Sequence, residues 1–412
     1  MTASSHLSNV WFSVTPLEVS HGHGCWVTTT SGEEYLDFAG GIAVNSTGHS
    51  HPAVVKAIAD QAARFIHAQV NVFRHDLLEP LAAKLADLAP GNIDTFFFAN
   101  SGAEITEAAV KLAKQVTKRP HVIVFSGSFH GRTHMAMAMT TSKTGYRAGH
   151  APLPSGVFVA PYPDPLAADQ DAEVADALAG FDHLLKAMTA PEETACVILE
   201  PVMGEGGYVP APPAFIKGLV ERCRQHGILF VADEVQSGFG RTGKMFAVEH
   251  YGIEPDIICM AKGIASGFPF SALGTRRELD DKWPKGSHGG TYGGNAMGCA
   301  AALATIELMA DPAFLANVNA RGAQLMAGIR ELQQEYPVIT QVRGLGLMVG
   351  TQFSDPARVA AITKHCLEEG HLILMNAGTY GNTLRWMPPL VVNEREIDLA
   401  LAAFGAALKA TN

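Results

Sequence analysis

Along this chain the apolar positions fall into two periods, and the switch between them marks the elements. Residues 24–38 alternate polar and apolar with Ser31-Gly32 as a turn, which predicts a small antiparallel element. Pro52 suits the first turn of a helix that carries Val54, Val55, Ile58 and Ala62 at helical spacing. From about 77 to 300 the two periods take turns: helix 77–88, strand 95–99, helix 103–117, strand 121–125, then three short apolar runs separated by helical stretches such as 214–226. That order predicts a mainly parallel sheet covered by helices on both faces, an α/β fold. Residues 164–193, acidic and Ala-rich, read as a surface helix with loops. Beyond 300 the texture changes to helices 300–309 and 314–334, strands 339–342 and 345–353, a helix near 356–368 and a last strand-helix pair. The expected organisation is a large domain over 59–300 and a smaller α+β domain built from 1–58 and 301–412.

The three apolar runs each end in a different ionisable residue. They are Cys196-Val-Ile-Leu-Glu200, Ile228-Leu-Phe-Val-Ala-Asp233 and Asp256-Ile-Ile-Cys-Met-Ala-Lys262. In an open α/β sheet ligands sit beyond the carboxyl ends of the strands, so a Glu, an Asp and a Lys are expected to meet at one edge. Each must find a partner or shift its pKa. For a lysine, desolvation favours the neutral amine that attacks carbonyls.

Composition narrows the classes. The 412 residues, 47% hydrophobic, suffice for a large core. A formal net charge of −10 with 17% charged residues leaves no basic patch for nucleic acid or membrane lipid. The six cysteines are scattered without a CxxC pair, the pattern of reduced thiols, and the N-terminus lacks the basic and apolar regions of a secretory signal. A cytoplasmic location is the expectation.

Several motifs have a plain reading beside a chemical one. Asn100-Ser-Gly-Ala-Glu104 sits between strand and helix, where Gly102 would let a phosphate approach the helix N-terminus; Ser101 and Glu104 equally form a capping box. Phe129-His-Gly-Arg-Thr133 could supply an aromatic face for a flat ring and an arginine for a carboxylate, or simple packing. Gly238-Phe-Gly-Arg-Thr-Gly243 matches a dinucleotide fingerprint, but Asp233 and Glu234 intervene and no long helix follows. The pairs His21/His23 and His49/His51 and the lone His288 lack metal-ligand spacing, so no metal is expected. Together, Lys262, Asp233 and the Gly102 turn supply what a phosphorylated pyridine cofactor needs: an amine for its aldehyde, a carboxylate for its ring nitrogen and a helix N-terminus for its phosphate.

At this point the chain resembles the fold-type I pyridoxal-phosphate enzymes, specifically the class III aminotransferases acting on 4-aminobutyrate, acetylornithine and ornithine. The matching stretches include Tyr35-Leu-Asp-Phe-Ala-Gly-Gly-Ile-Ala-Val, Gly48-His-Ser-His-Pro52, Glu200-Pro-Val, Asp233-Glu-Val-Gln-Ser-Gly, Ala261-Lys-Gly263, Gly290-Thr-Tyr-Gly-Gly-Asn295 and Leu384-Arg385, with the motifs above. The resemblance implies pyridoxal 5′-phosphate as cofactor and a seven-stranded sheet in the large domain. It makes Lys262 the Schiff-base lysine and proton shuttle, Asp233 the partner of the pyridinium nitrogen, Gln236 a donor to the ring's phenolic oxygen and Phe129 the stacking aromatic. Ser101, Gly102, Ala103, His130 and Val235 complete the cofactor set, and Thr291 would reach the phosphate of a neighbouring subunit in a homodimer with shared sites.

For the substrates the resemblance implies that Arg385 grips the α-carboxylate of a 2-oxo acid and Glu200 covers Arg385 when the donor lacks that group. Arg132 would hold the distal carboxylate, and Ile42 would line the pocket. This favours ping-pong transamination between an ω-amino acid such as 4-aminobutyrate and 2-oxoglutarate, giving the semialdehyde and glutamate. Asn71, where some 4-aminobutyrate enzymes carry glutamine, leaves acetylornithine, ornithine, β-alanine, 5-aminovalerate and simple amines open as donors. Decarboxylases and aminomutases of the same fold use the same lysine.

Overall fold

The computed structural model describes residues 6–411. Its centre is a seven-stranded sheet made of β1 (Thr95–Ala99), β2 (His121–Phe125), β3 (Val157–Ala160), β4 (Thr194–Leu199), β5 (Leu229–Asp233), β6 (Ile257–Met260) and β7 (Ser271–Thr275). The strand order is β1-β7-β6-β5-β4-β2-β3. Only β7 runs against its neighbours. The period-2 pleat sends alternate residues to opposite faces. Val122, Val124 and Ile198 meet Ile105, Ala109 and Leu112 of helix α1 (Gly102–Thr117) on one side. Ile123, Phe125, Val197 and Leu199 pack with Phe181, Phe215 and Leu219 on the other. Both faces being covered, β4 and β6 read as unbroken apolar runs.

β3 and β7 are absent from the sequence reading. β7 is Ser-Ala-Leu-Gly-Thr, short of β-branched residues, and a Cβ on Gly274 would come within 2.9 Å of Ile93, Ile258 and Phe96. Close approach of neighbours, which periodicity does not register, selects the glycine. The acidic stretch forms the expected surface helix, Gln170–Ala187, which turns Val174, Ala177, Phe181, Leu184 and Leu185 to the core and leaves Gln170, Asp171, Asp176 and Lys186 exposed.

The two ends of the chain meet. Strands Val19–His23, Trp26–Thr29 and Glu34–Asp37 form an antiparallel meander, and Leu372–Ile373 adds to Glu34–Asp37 in parallel. A four-stranded antiparallel sheet of Ile339–Leu345, Met348–Phe353, Thr383–Trp386 and Met375–Ala377 lies under helices Pro312–Glu335, Pro356–Glu368 and Glu394–Thr411. Strand 339–345 outruns its expected end, and the hairpin turns at Gly346, where φ is +53° and a Cβ would strike the Thr242 backbone. Among the described residues no single helix is long and apolar enough to cross a membrane.

Candidate functional site

In-register pairing aligns the exits of the three charged strands. Ala232 of β5 stands opposite Leu199 of β4 and Ile258 of β6, so the residues that follow emerge side by side. They open into a cavity of about 330 Å³. Its walls include Lys262, Asp233, Glu200, Phe129, His130, Val235, Gln236 and the segment from Asn100 to Ala103.

Asp233 is 3% exposed. Its Oδ2 meets His130 Nδ1 at 2.7 Å, and its Oδ1 accepts the Val235 N–H at 3.0 Å. Burial disfavours a charged His130, yet the bond and charge of Asp233, aided by Glu200, hold its pKa above the ordinary value. The pair therefore keeps a fixed carboxylate at the cavity wall. Lys262 starts the short turn Lys262–Ala265 with φ at +48°, a left-handed conformation that costs a non-glycine residue about 1–2 kcal/mol. Burial lowers its pKa against the opposing charges of Glu205, Asp233 and Glu200. A larger fraction of neutral amine follows.

At Asn100–Glu104 the capping box forms, and the same helix start faces the cavity. Ser101 caps α1 by accepting the Glu104 N–H at 3.3 Å, and Glu104 Oε2 accepts the Asn100 N–H at 3.0 Å. Gly102 and Ala103, ahead of Glu104 in the first turn, line the cavity. A Cβ on Gly102 would lie 2.8 Å from Val235 Cγ1. The helix end thus reaches the cavity with bare backbone, as an anion site requires. Gln236 is oriented by Tyr208, whose hydroxyl donates to Gln236 Oε1 at 2.6 Å, so the Gln236 amide group remains to donate. Amine, carboxylate, amide donor, aromatic ring and bare helix end around one cavity fit a phosphorylated pyridine.

The pairing expected between Glu200 and Arg385 is not what forms. Glu200 accepts backbone N–H groups from Phe129 at 2.9 Å and Gly204 at 2.8 Å, and burial raises its pKa to about 7, His130 opposing. Arg385 instead donates to Glu205 Oε1. Arg385 is 2% and Glu205 8% exposed. Burial would lower the arginine's pKa and raise the carboxyl's, but their mutual charge wins in both directions. The Glu205 Oε2 accepts the Tyr146 hydroxyl at 3.1 Å. Glu205 escaped the sequence reading because it ends no strand; its signal is an acid set among Gly204, Gly206 and Gly207.

The other expected residues scatter more widely. The Arg132 guanidinium carbon lies 4.7 Å from the Tyr146 ring centroid and 5.9 Å from that of Phe129. Ile42 sits at a φ of +65° and is 39% exposed, whereas Val44 lines the cavity in its neighbourhood. Thr291 belongs to an exposed loop, beside Gly289 and Gly290, which border a second cleft with Asn71. The fingerprint-like Gly238–Gly243 stretch is loop in which buried Arg241 donates to Pro388 O at 2.6 Å. His49 bonds Asp37 at 2.8 Å, His51 caps helix Pro52–Arg64, and His288 stacks on Trp283.

Comparison with known proteins covers nearly the whole chain. Residues 7–408 match the family described as Aminotransferase class-III. The 5-aminovalerate aminotransferase DavT of Pseudomonas putida is 41% identical over 94% of this chain and 92% of its own. The 4-aminobutyrate aminotransferase GabT of Escherichia coli is 38% identical, over 93% of this chain and 91% of its own. An amine transaminase from an uncultivated Pseudomonas species, solved in a PLP-bound form, superposes with a TM-score of 0.92 at 27% identity, covering 100% of both chains.

Proposed function

This chain belongs to the class-III aminotransferases, pyridoxal-phosphate enzymes of fold type I, and from that premise we propose that it moves the amino group of an ω-amino acid to 2-oxoglutarate. The donor we favour is 4-aminobutyrate, with its one-carbon-longer homologue 5-aminovalerate beside it. The observation that carries the reading is the buried Glu205–Arg385 pair with a second arginine, Arg132, one aromatic ring away. A site that takes turns with a donor having one carboxylate and an acceptor having two needs one permanent cation and one that can be covered. Arg132 supplies the first. Arg385 under Glu205 supplies the second, because an unmatched substrate would leave a buried charge unpaired.

Bound in the cavity, pyridoxal phosphate supplies an aldehyde and an electron-poor ring that takes up the electrons of a breaking C–H bond. Lys262, whose pKa burial lowers, is the residue we assign to hold the aldehyde carbon and to move the proton. Asp233, fixed by His130 and Val235, would keep the ring nitrogen protonated. Gln236 would donate to the phenolic oxygen, Phe129 and Val235 would flank the ring, and Ser101, Gly102 and Ala103 would receive the phosphate.

A homodimer completes the proposal. Val72, Phe73 and Tyr292 are each 60% exposed or more, and His67 meets Tyr292 at 5.1 Å between ring centroids. So much apolar surface beside the 288–294 loop supports burial against a second copy, with Thr291 reaching that copy's phosphate site. The large domain we place at 59–300 and the small one at 1–58 with 301–412. Six free, buried cysteines support a reducing, cytoplasmic setting. The test is a panel of donors, 4-aminobutyrate, 5-aminovalerate, β-alanine, N-acetylornithine and a simple amine, each with 2-oxoglutarate or pyruvate. Fastest transfer from a carboxylated ω-amino acid to 2-oxoglutarate is expected. Preference for the simple amine, or release of carbon dioxide without transfer, overturns the reading.

A further inference from the structure

Tyr146 touches both halves of the substrate site. It closes the short turn Thr144–Tyr146. Its hydroxyl donates to Glu205 Oε2 at 3.1 Å while Oε1 of the same carboxylate holds Arg385. Its ring carries the Arg132 guanidinium at 4.7 Å and meets Phe129 edge-on at 5.2 Å and 74°. One side chain therefore contacts the anion that covers one arginine and, on its ring, the other arginine.

The two contacts have different consequences. When an α-carboxylate takes Arg385, Glu205 loses its cation in a place where it is only 8% exposed. A buried carboxylate stripped of partners is far costlier than one that keeps a hydrogen bond. The Tyr146 hydroxyl already sits on the other oxygen. Resting on the functional reading above, we infer that Tyr146 is a specificity-determining positioning residue: it holds Glu205 after release from Arg385 and so sets how readily the site admits substrates with an α-carboxylate. Its ring supports Arg132 in both half-reactions. Burial and the charge of Glu205 raise the pKa of the Tyr146 hydroxyl, so it remains a donor through the neutral range.

Tyr146→Phe removes the hydroxyl and keeps the ring; Tyr146→Ala removes both. Both half-reactions are followed by single-turnover absorbance of the holoenzyme, the ω-amino acid on one form and 2-oxoglutarate on the other. In Tyr146→Phe the 2-oxoglutarate half should fall relative to the ω-amino half by about tenfold or more, the effect of a lost hydrogen bond to a charged group. Tyr146→Ala should depress both halves. A second readout needs no turnover: the inhibition constant of glutarate, with two carboxylates, should rise about tenfold in Tyr146→Phe relative to that of valerate, with one. Wild type run alongside separates the two ideas. If wild type fails to use both substrates, the functional reading falls. If wild type uses both, and Tyr146→Phe keeps the ratio of halves and the glutarate-to-valerate ratio, the role of the hydroxyl falls alone.

Discussion

Glu205→Ala uncovers Arg385 for good, and the effect can be sized from the pair's surroundings. Under the proposed function an ω-amino acid would react with the pair closed, whereas an α-amino acid such as glutamate would have to open it first. Deleting Glu205 removes that opening cost and leaves the contacts of the ω-amino acid in place. Two unit charges about 4 Å apart attract by about 4 kcal/mol at an effective dielectric near 20, which sets the scale of the cost. The Tyr146 hydrogen bond and the 8% exposure of Glu205 return part of it. What remains is about 2–4 kcal/mol, so the ratio of specificity constants for glutamate over 4-aminobutyrate should rise roughly 30- to 1000-fold. The same change strands a buried arginine and should cost the fold about 3–5 kcal/mol. Excess 2-oxoglutarate should recover much of that by binding. The assay is the rate of each half-reaction in wild type, Glu205→Ala and Glu205→Gln, with urea unfolding with and without 2-oxoglutarate. A ratio that stays near the native one, or moves toward 4-aminobutyrate, refutes the cover-and-uncover argument.

Borohydride reduction of the holoenzyme should fix the cofactor on the peptide that contains Lys262; label recovered on another lysine would remove Lys262 from its assigned role. Gly102→Ala should fold and bind pyridoxal phosphate about tenfold more weakly, because its Cβ, 2.8 Å from Val235 Cγ1, displaces one of two segments that line the cavity; cofactor retained on dialysis is the measure. Glu234 is fully buried, receives Ser237 and Val248, and burial raises its pKa from 4.5 to about 7. A raised folded pKa means its contribution to stability is full below pH 4.5 and is lost as pH climbs to about 7. Relative to Glu234→Gln, wild type should therefore lose roughly 3 kcal/mol between pH 4.5 and 7 and change little above, as read by denaturant titration.

What was legible in the sequence depended on how local its cause is. The strands ending near Glu200, Asp233 and Lys262 could be read because both faces of each are buried, which leaves an unbroken apolar run with a charge behind it. β7 could not, since glycine and alanine were chosen there by neighbours from β1 and β6. The residues proposed to hold the cofactor follow strand ends and a helix start, and so are encoded within a few positions of a recognisable element. The anion over Arg385 is different. Its partner is 180 positions away, and a five-residue displacement from Glu200 to Glu205 changes which carboxylate arrives. Glu200, at the strand end, spends both oxygens on the amides of Phe129 and Gly204. Tyr146 lay in a turn with no periodicity to single it out.

The parallel pairing of Leu372–Ile373 with Glu34–Asp37 also bears on how the chain is made. The Ile373 carbonyl accepts the Phe38 N–H at 3.0 Å and the Phe38 carbonyl accepts the Met387 N–H at 3.0 Å. A ribosome must therefore release more than three hundred further residues before the 34–38 segment finds its mates. The large sheet can form first, since its seven strands all lie between 95 and 275. Until then the edge at Glu34–Asp37 is an open template for other nascent chains. Early termination upstream of residue 372 would leave that edge permanently unpaired, so such fragments should depend on chaperones and proteolysis for clearance while the finished chain does not.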